Sequence, residues 1–367
     1  MKRLGIDARL INQTGVGSYT RNLLLNLLPL ISDDIEVFIF MRSEDISSFS
    51  IKGKNVHIVK ANFTWHSFRE QTSFLRLLQS YKLDLMHFTY FSFPMFYTRP
   101  FVITIHDITP LLFTTGKAST RHIALYKSKF LAYKLLMHAA MYRPKAIFTP
   151  TQSVKNDIVT EFPKIDSSRI HVTYEGLSES HASGIAPKKP QHTYPTSFYL
   201  YVGNFYPHKN VSSLLHAFRE VRTNAHLVLA GPEDHFSHRM KDLAHKLSLQ
   251  ERVHFVHSIS DSELGYLYAH AKALIHPSKA EGFGLTLLEA SAYTCPVLAS
   301  DIPVIRETMG DNFIPFDPID IYSMAAAIQH FDEHPQKKYL PLAILKERFS
   351  FETMAKQTLH TYEEVLR

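Results

Sequence analysis

The sequence predicts an α/β fold built from two Rossmann-like domains in tandem. Three observations carry that expectation. Apolar runs of strand length alternate with helical stretches along the chain. Many of these runs are continuously apolar, the mark of parallel strands buried on both faces. The rhythm stops once, in a segment rich in Pro, Ser and Lys, and then restarts. A chain of 367 residues is long enough for two cores.

In the first half the expected strands are "RLGIDA" (3–8), "EVFIF" (36–40), "VHIVKA" (56–61), "LDLMHFT" (83–89), "FVITIHD" (101–107) and "AIFTPT" (146–151), with helices such as 18–30 and 66–81 between them. The interruption is "LSESHASGIAPKKPQHTYPTS" (177–197). The second set is "FYLYVGN" (198–204), "AHLVLAG" (225–231), "VHFVHS" (253–258), "ALIHPS" (273–278) and "PVLAS" (296–300). Residues 1–180 are thus expected to form one domain, 181–197 a linker and 198–367 a second domain, ending in an amphipathic helix at about 350–366. In open parallel sheets, ligands bind beyond the carboxyl ends of the strands.

Composition narrows the function. A hydrophobic content of 45% and a charged content of 20% belong to an ordinary globular protein. The N-terminus carries Asp7 and Arg9 and lacks the apolar core of a secretory signal. The longest apolar run, "LLLNLLPLI", is broken by Asn26 and Pro29, which argues against a membrane span. The lone Cys295 has no internal disulfide partner, so the cytoplasm is expected. The net charge of +6 is uneven: residues 1–180 hold 22 Lys and Arg against 14 Asp and Glu. No acid occurs from Ile108 to Asn156, while Lys117, Arg121, Lys127, Lys129, Lys134, Arg143, Lys145 and Lys155 do. A basic helix bearing Leu and Phe suits an anionic membrane surface or a phosphate-bearing partner; it is equally a solvated face of a mildly basic protein. No zinc-finger, RRM or helix-turn-helix signature accompanies the charge, so nucleic acid is not expected.

Four stretches carry chemistry. "NQTGVGSYTRNLL" follows the first strand and opens a helix; Gly15 and Gly17 allow close backbone approach to a phosphate at the helix N-terminus. It lacks the third glycine of a dinucleotide fingerprint, which disfavours NAD. "TIHD" places His106 and Asp107 at a strand end, without neighbouring metal-ligand spacing. "YVGNFYPHKN" puts a turn at Gly203 and Asn204 and sets His208, Lys209 and Asn210 at the start of a helix, where Lys209 can meet an anion. "HPSKAEGFGLTLLEASA" puts Glu281 in a turn, bare backbone at Gly282 and Gly284, and Glu289 in or just past the first turn of a helix starting near Leu285. Each also has a plainer reading: an ordinary strand-to-helix turn, a structural histidine, a solvated lysine, a helix-dipole acid.

Taken together and in this order, these stretches resemble the retaining GT-B glycosyltransferases of group 1, family 4. The likeness also takes in "WHSFREQTSFLRLL", "FTPTQSVKNDIV", "LVLAGPED", "CPVLASDIPVIRE" and the terminal "FSFETMAKQTLHTYEEV". "IHD" with a downstream "PLLF" looks most like the branch holding bacterial O-antigen and capsule mannosyltransferases. The resemblance implies two domains facing a central cleft, with the C-terminal helix crossing back to the first. It implies transfer of a hexose, with mannose and GDP-mannose favoured, from a nucleotide sugar to a glycan or lipid-diphosphate-linked acceptor, with no cofactor and no divalent metal. In that scheme Glu281 faces the donor sugar, Glu289 holds the ribose hydroxyls and Lys209 neutralises the diphosphate. The amides of Gly282, Phe283, Gly284 and Leu285 contact diphosphate and sugar, and His106 hydrogen-bonds the transferred sugar or its reaction centre. Gly15, Gly17 and Thr151–Ser153 line the cleft, and Gly203, Asn204 and His208 belong to the donor site. The departing phosphate takes the acceptor's proton, the alternative being a double displacement. Other readings are a GT-B sugar-nucleotide epimerase, a phosphorylase (for which no pyridoxal lysine is evident) and a sugar-nucleotide-binding scaffold subunit.

The family pattern is departed from in three places. His208 and Asn204 stand where a second basic residue is usual, Thr286 replaces the proline of "EGFGLP", and Thr294 replaces a glycine. A left-handed conformation at Thr294 would be strained.

Overall fold

The computed structural model describes residues 1–49, 53–112, 123–178, 181 and 193–367. They form two compact units, Met1–Glu175 with Ser350–Arg367 and Gly176–Phe349. The chain therefore changes unit directly after Glu175. Most of the segment read as a linker (182–192) lies outside the described residues, as do Lys117 and Arg121.

The first unit runs β1 (Lys2–Asp7), α1 (Val16–Leu27), β2 (Ile35–Met41), β3 (Val56–Lys60), α2 (Leu75–Ser80), β4 (Leu85–Phe88), β5 (Phe101–Thr104), α3 (Thr109–Leu112), α4 (Ile123–Tyr142), β6 (Ile147–Thr149), α5 (Gln152–Glu161) and β7 (Ile170–Val172). Its strands pair in the order β3-β2-β1-β4-β5-β6-β7, all parallel. The central strands β4, β5 and β6 are buried at every residue, as expected of mostly apolar parallel strands covered on both faces. β3 and β7 are edges and half-exposed. A π-helical turn, Glu70–Phe74, leads into α2.

The second unit runs β8 (Phe198–Val202), α6 (Val211–Glu220), β9 (His226–Ala230), α7 (His235–Lys246), β10 (Val253–Val256), α8 (Asp261–His270), β11 (Leu274–His276), α9 (Leu285–Ala292), β12 (Val297–Ser300), α10 (Pro303–Met309), β13 (Ile314–Phe316), α11 (Ile321–Glu333) and α12 (Leu342–Arg348). The sheet order β10-β9-β8-β11-β12-β13, all parallel, is the dinucleotide-fold order 3-2-1-4-5-6. Pro315, which has no amide to donate, lies in β13 at the sheet edge, where a proline is tolerated.

The last helix, α13 (Phe351–Leu366), belongs to the first unit. Ser350 caps it, accepting from the Thr353 amide at 3.3 Å. Phe351, Met354, Ala355, Thr358 and Tyr362 form its buried stripe, at helical spacing. Tyr362 hydrogen-bonds Nδ1 of His87 on β4, and the other ring nitrogen of His87 lies 2.8 Å from Thr104 Oγ1. This corrects the assignment of the helix to the second domain: it crosses back, as the resemblance implied.

A buried ionic cluster ties the ends of β1 and β4 together. The Arg9 guanidinium lies 2.7 Å from Asp7, 2.8 Å from Glu70 and over the ring of Phe74. Glu70 in turn accepts from Ser92 Oγ and the His66 amide. Its carboxyl is raised above the usual range, because burial outweighs Arg9 and Ser92.

Candidate functional site

The second unit assembles the densest chemistry, and the sheet order explains why. Strand order reverses between β8 and β11, the switch point at whose carboxyl ends ligands bind in open parallel sheets. The loop after β8 carries Gly203, Asn204, His208 and Lys209; the loop after β11 carries Glu281. Three contacts stitch them together. The Lys279 amide donates to His208 O at 2.8 Å, Asn210 Nδ2 donates to Pro277 O at 3.1 Å, and Lys209 Nζ meets Glu281 Oε1 at 2.7 Å.

Lys209 does not open the helix as expected. It ends a single 3-10 turn, Pro207–Lys209, and α6 starts two residues later. Between them Asn210 adopts a left-handed conformation, φ 61°, which asparagine tolerates better than most residues. Its side-chain amide also donates to Pro318 O at 2.8 Å, so one buried residue fixes both the turn and the facing loop.

Glu281 has a second partner that sequence reasoning missed. His276, the last residue of β11, places Nε2 2.7 Å from the same Glu281 Oε1. Both side chains are almost wholly buried, at 4% and 8% exposure, while Lys209 keeps 18%. Burial works to raise the Glu281 carboxyl, but Lys209 and His276 outweigh it and hold it well below the usual range. The missed signal was available: a histidine closing a strand, the same logic that singled out His106. Thr286 Oγ1 lies 3.3 Å from the other nitrogen, His276 Nδ1.

Past Glu281, Gly284 takes φ 90° and starts α9 with no side-chain cap and no acid in the first turn. A Cβ there would meet the Leu287 side chain at 2.9 Å as well as adopting a disfavoured φ. Uncapped helix N-termini favour anions through their amides and the helix dipole. The ring of Phe283 is buried edge-on against Phe349 at 5.5 Å, so only the backbone of this residue can face a ligand.

Glu289, fifth residue of α9, has its own surroundings. Tyr268 OH donates to Oε2 at 2.9 Å, and His181 Nε2 lies 3.9 Å from Oε1. Burial raises this carboxyl, opposed by His181 and Tyr268. The two glutamates of the E-x7-E element are thus shifted in opposite directions. The thiol of Cys295 is pushed up to about 12 by burial, which leaves it unreactive.

The remaining sequence-predicted residues lie in the first unit. Gly15, at φ 69°, precedes α1 with open space around its missing side chain. Gly17 has a packing reason instead: a Cβ would lie 2.6 Å from Ile11 O. His106 sits two residues beyond β5, 12% exposed, with Nε2 3.0 Å from Thr89 O and Nδ1 3.5 Å from Glu175. Tyr19 packs edge-on against it at 4.7 Å. Asp107 accepts from the Thr109 amide at 2.7 Å and so begins α3. Thr151 is buried and its hydroxyl caps α5, accepting from Val154 N at 3.2 Å. Among the described residues no group of three or more His, Cys, Asp or Glu could hold a metal ion, and no helix is long and apolar enough to cross a membrane.

Comparison with known proteins covers both halves. A family model described as Glycosyltransferase Family 4 matches residues 14–181, and one described as Glycosyl transferases group 1 matches residues 185–340. The O-antigen chain mannosyltransferase RfbU of Salmonella typhimurium is 29% identical over 64% of this chain and 61% of its own length. O-antigen chain mannosyltransferase B of Escherichia coli is 27% identical over 78% of this chain and 76% of its own. Among solved structures, HepE of Anabaena in complex with UDP and glucose superposes with a TM-score of 0.72 at 16% identity, covering 99% of this chain and 100% of that one.

Proposed function

This chain belongs to the group 1, family 4 glycosyltransferases, with the GT-B pair of Rossmann-like domains, and on that premise we propose that it transfers mannose from GDP-mannose to a hydroxyl of a glycan, carried on a lipid diphosphate, in cell-surface polysaccharide synthesis. The transfer proceeds with retention at the anomeric carbon and without a divalent metal. The observation that carries the reading is Lys209 and the uncapped start of α9 flanking one buried, ionised glutamate at the switch point of a nucleotide-binding sheet. That arrangement suits a diphosphate leaving group, whose gain of negative charge is the largest change along the reaction.

In the proposed reaction the bond from the anomeric carbon to the diphosphate oxygen breaks while the acceptor oxygen bonds the same face of that carbon. The acceptor's proton goes to the departing phosphate. Lys209 and the α9 amides stabilise the developing charge, Glu281 orients the sugar ring, and Glu289 accepts from the ribose hydroxyls. Mannose is favoured by the names of the relatives, and a nucleotide diphosphate sugar by the UDP held in HepE. A peripheral membrane position is supported by α4, whose Leu131 and Leu135 are 60% and 54% exposed on either side of exposed Lys134.

Calorimetric titration with GDP-mannose, UDP-glucose and dTDP-rhamnose tests the reading. GDP-mannose is expected to bind tightest, and Lys209→Ala to weaken it at least tenfold. Equal affinity in the variant would remove Lys209 from the site. Absence of binding to every sugar nucleotide would overturn the function.

A further inference from the structure

We propose that Thr286 is a positioning residue for Glu281, acting through His276. The position is one where family members usually carry proline. Its hydroxyl lies 3.3 Å from His276 Nδ1, while the opposite nitrogen lies 2.7 Å from Glu281 Oε1. A neutral imidazole carries one proton and chooses between its two nitrogens according to what each one faces. Facing a carboxylate, Nε2 must keep its proton, or two acceptors meet in a pocket where His276 and Glu281 are almost fully buried. The carboxylate thus fixes the tautomer at Nε2, and the ring is anchored against it at Nδ1, where Thr286 is the side chain placed.

A hydroxyl is suited to this because it can turn. With a neutral ring it donates to bare Nδ1; with a charged ring it accepts from Nδ1–H. In both states Nε2–H stays on Glu281. Proline or valine at 286 can do neither. The charged and titratable groups around His276 are Glu281 and Lys209 from their loops and Tyr201 from β8, whose phenol is raised well above its usual range by burial and, second, by the Glu281 charge. Ser300 Oγ, on the adjacent strand β12, donates to the backbone carbonyl of His276 at 3.3 Å. The helix start at Gly284 sets where Thr286 falls, in the first turn of α9.

The kinetic arm of the test rests on the proposed transfer; the spectroscopic arm does not. In the intact protein, nitrogen chemical shifts of His276 are expected to report a proton on Nε2, facing Glu281. Exchange of that proton with solvent is expected to be at least about tenfold faster in Thr286→Val, whose ring has lost its anchor at Nδ1, and to return to the wild-type rate in Thr286→Ser. In turnover, Thr286→Val is expected to lower kcat about tenfold, the loss of one hydrogen bond, with little change in KM for the donor. Unchanged Nε2 proton exchange in Thr286→Val would overturn the proposal whatever the activity, as would a serine variant no better than valine. Faster exchange in a protein that transfers no sugar would retain the positioning and reject the reaction.

Discussion

Replacing Thr294 with glycine should stabilise the protein. Thr294 follows α9 at φ 55°, in the left-handed region, where a β-branched side chain crowds its own backbone. The conformation is imposed by the helix end: the Thr294 amide bonds Ser291 O and the Cys295 amide bonds Ala290 O, both at 3.0 Å. An L-residue in this region is about 1–2 kcal/mol worse placed than glycine. The greater freedom of glycine in the unfolded chain returns about 0.4–1 kcal/mol of that. The side chain is exposed, so its removal loses little buried area. The net gain is about 0.5–1 kcal/mol. For a unit the size of residues 176–349, this is about 1–4 °C in Tm. Scanning calorimetry of Thr294→Gly beside Thr294→Ala is the assay, because alanine keeps the Cβ and should melt within about a degree of wild type. A glycine variant that melts at or below wild type would refute the reasoning.

Three further outcomes follow from buried contacts. Asn210→Ala removes two hydrogen bonds and leaves a side chain at φ 61°, so urea unfolding should show a loss of about 2–4 kcal/mol; Asn210→Gly should recover part of the stability but not the full affinity for a sugar nucleotide. Burial holds Glu289 above the usual carboxyl range, so its ionised form costs stability and is lost as pH falls through that raised value; nucleotide affinity should decline over that acid window in wild type and stay flat in Glu289→Gln. Burial, helped by the charge on His106, lowers His87 to about 3. Between pH 6.5 and 3 the unfolded chain binds a proton that the folded chain does not, so stability falls with pH by up to about 1.4 kcal/mol per unit. A denaturation series from pH 7 to 5 should show a shallower acid decline in His87→Gln.

The parts of this structure legible in sequence are those where one physical cause acts over many neighbouring residues. Strands such as β4 and β5 are buried on both faces and announce themselves as largely apolar runs, interrupted only by His87 and Thr104. β7 and β13 escape notice because each is three residues long, lies at a sheet edge and is partly exposed. The stripe of α13 is visible as periodicity, but its destination is decided by packing and by Tyr362 meeting His87, 275 positions away. At the site, Lys209, Glu281 and Glu289 were legible from turn chemistry and family resemblance. The left-handed turn at Asn210 carries no clear signal, because an asparagine just before a helix ordinarily caps it from extended backbone. Tyr268 and His181 carry no local signal that they surround Glu289; only the tertiary fold brings them there.

Carboxylates whose protonation is pushed apart by their surroundings often make an acid and base pair. The E-x7-E glutamates are pushed apart, yet neither is placed to carry a proton in the proposed transfer. The charge of Glu281 is already answered by two donors on one oxygen, and Glu289 is bonded to a phenol in a separate pocket. The mobile charge is that of Lys209, the most exposed of its trio. In the proposed transfer a diphosphate at the start of α9 would compete with Glu281 for the ammonium, and the competition would sharpen as the leaving group becomes more negative. Lys209 alone would be a poor solution, since its departure would strand a buried carboxylate at considerable cost. His276 removes that difficulty by keeping its own bond at 2.7 Å, provided its Nε2 proton is held in place. The second donor on Glu281 is thus what lets the first one follow the reaction.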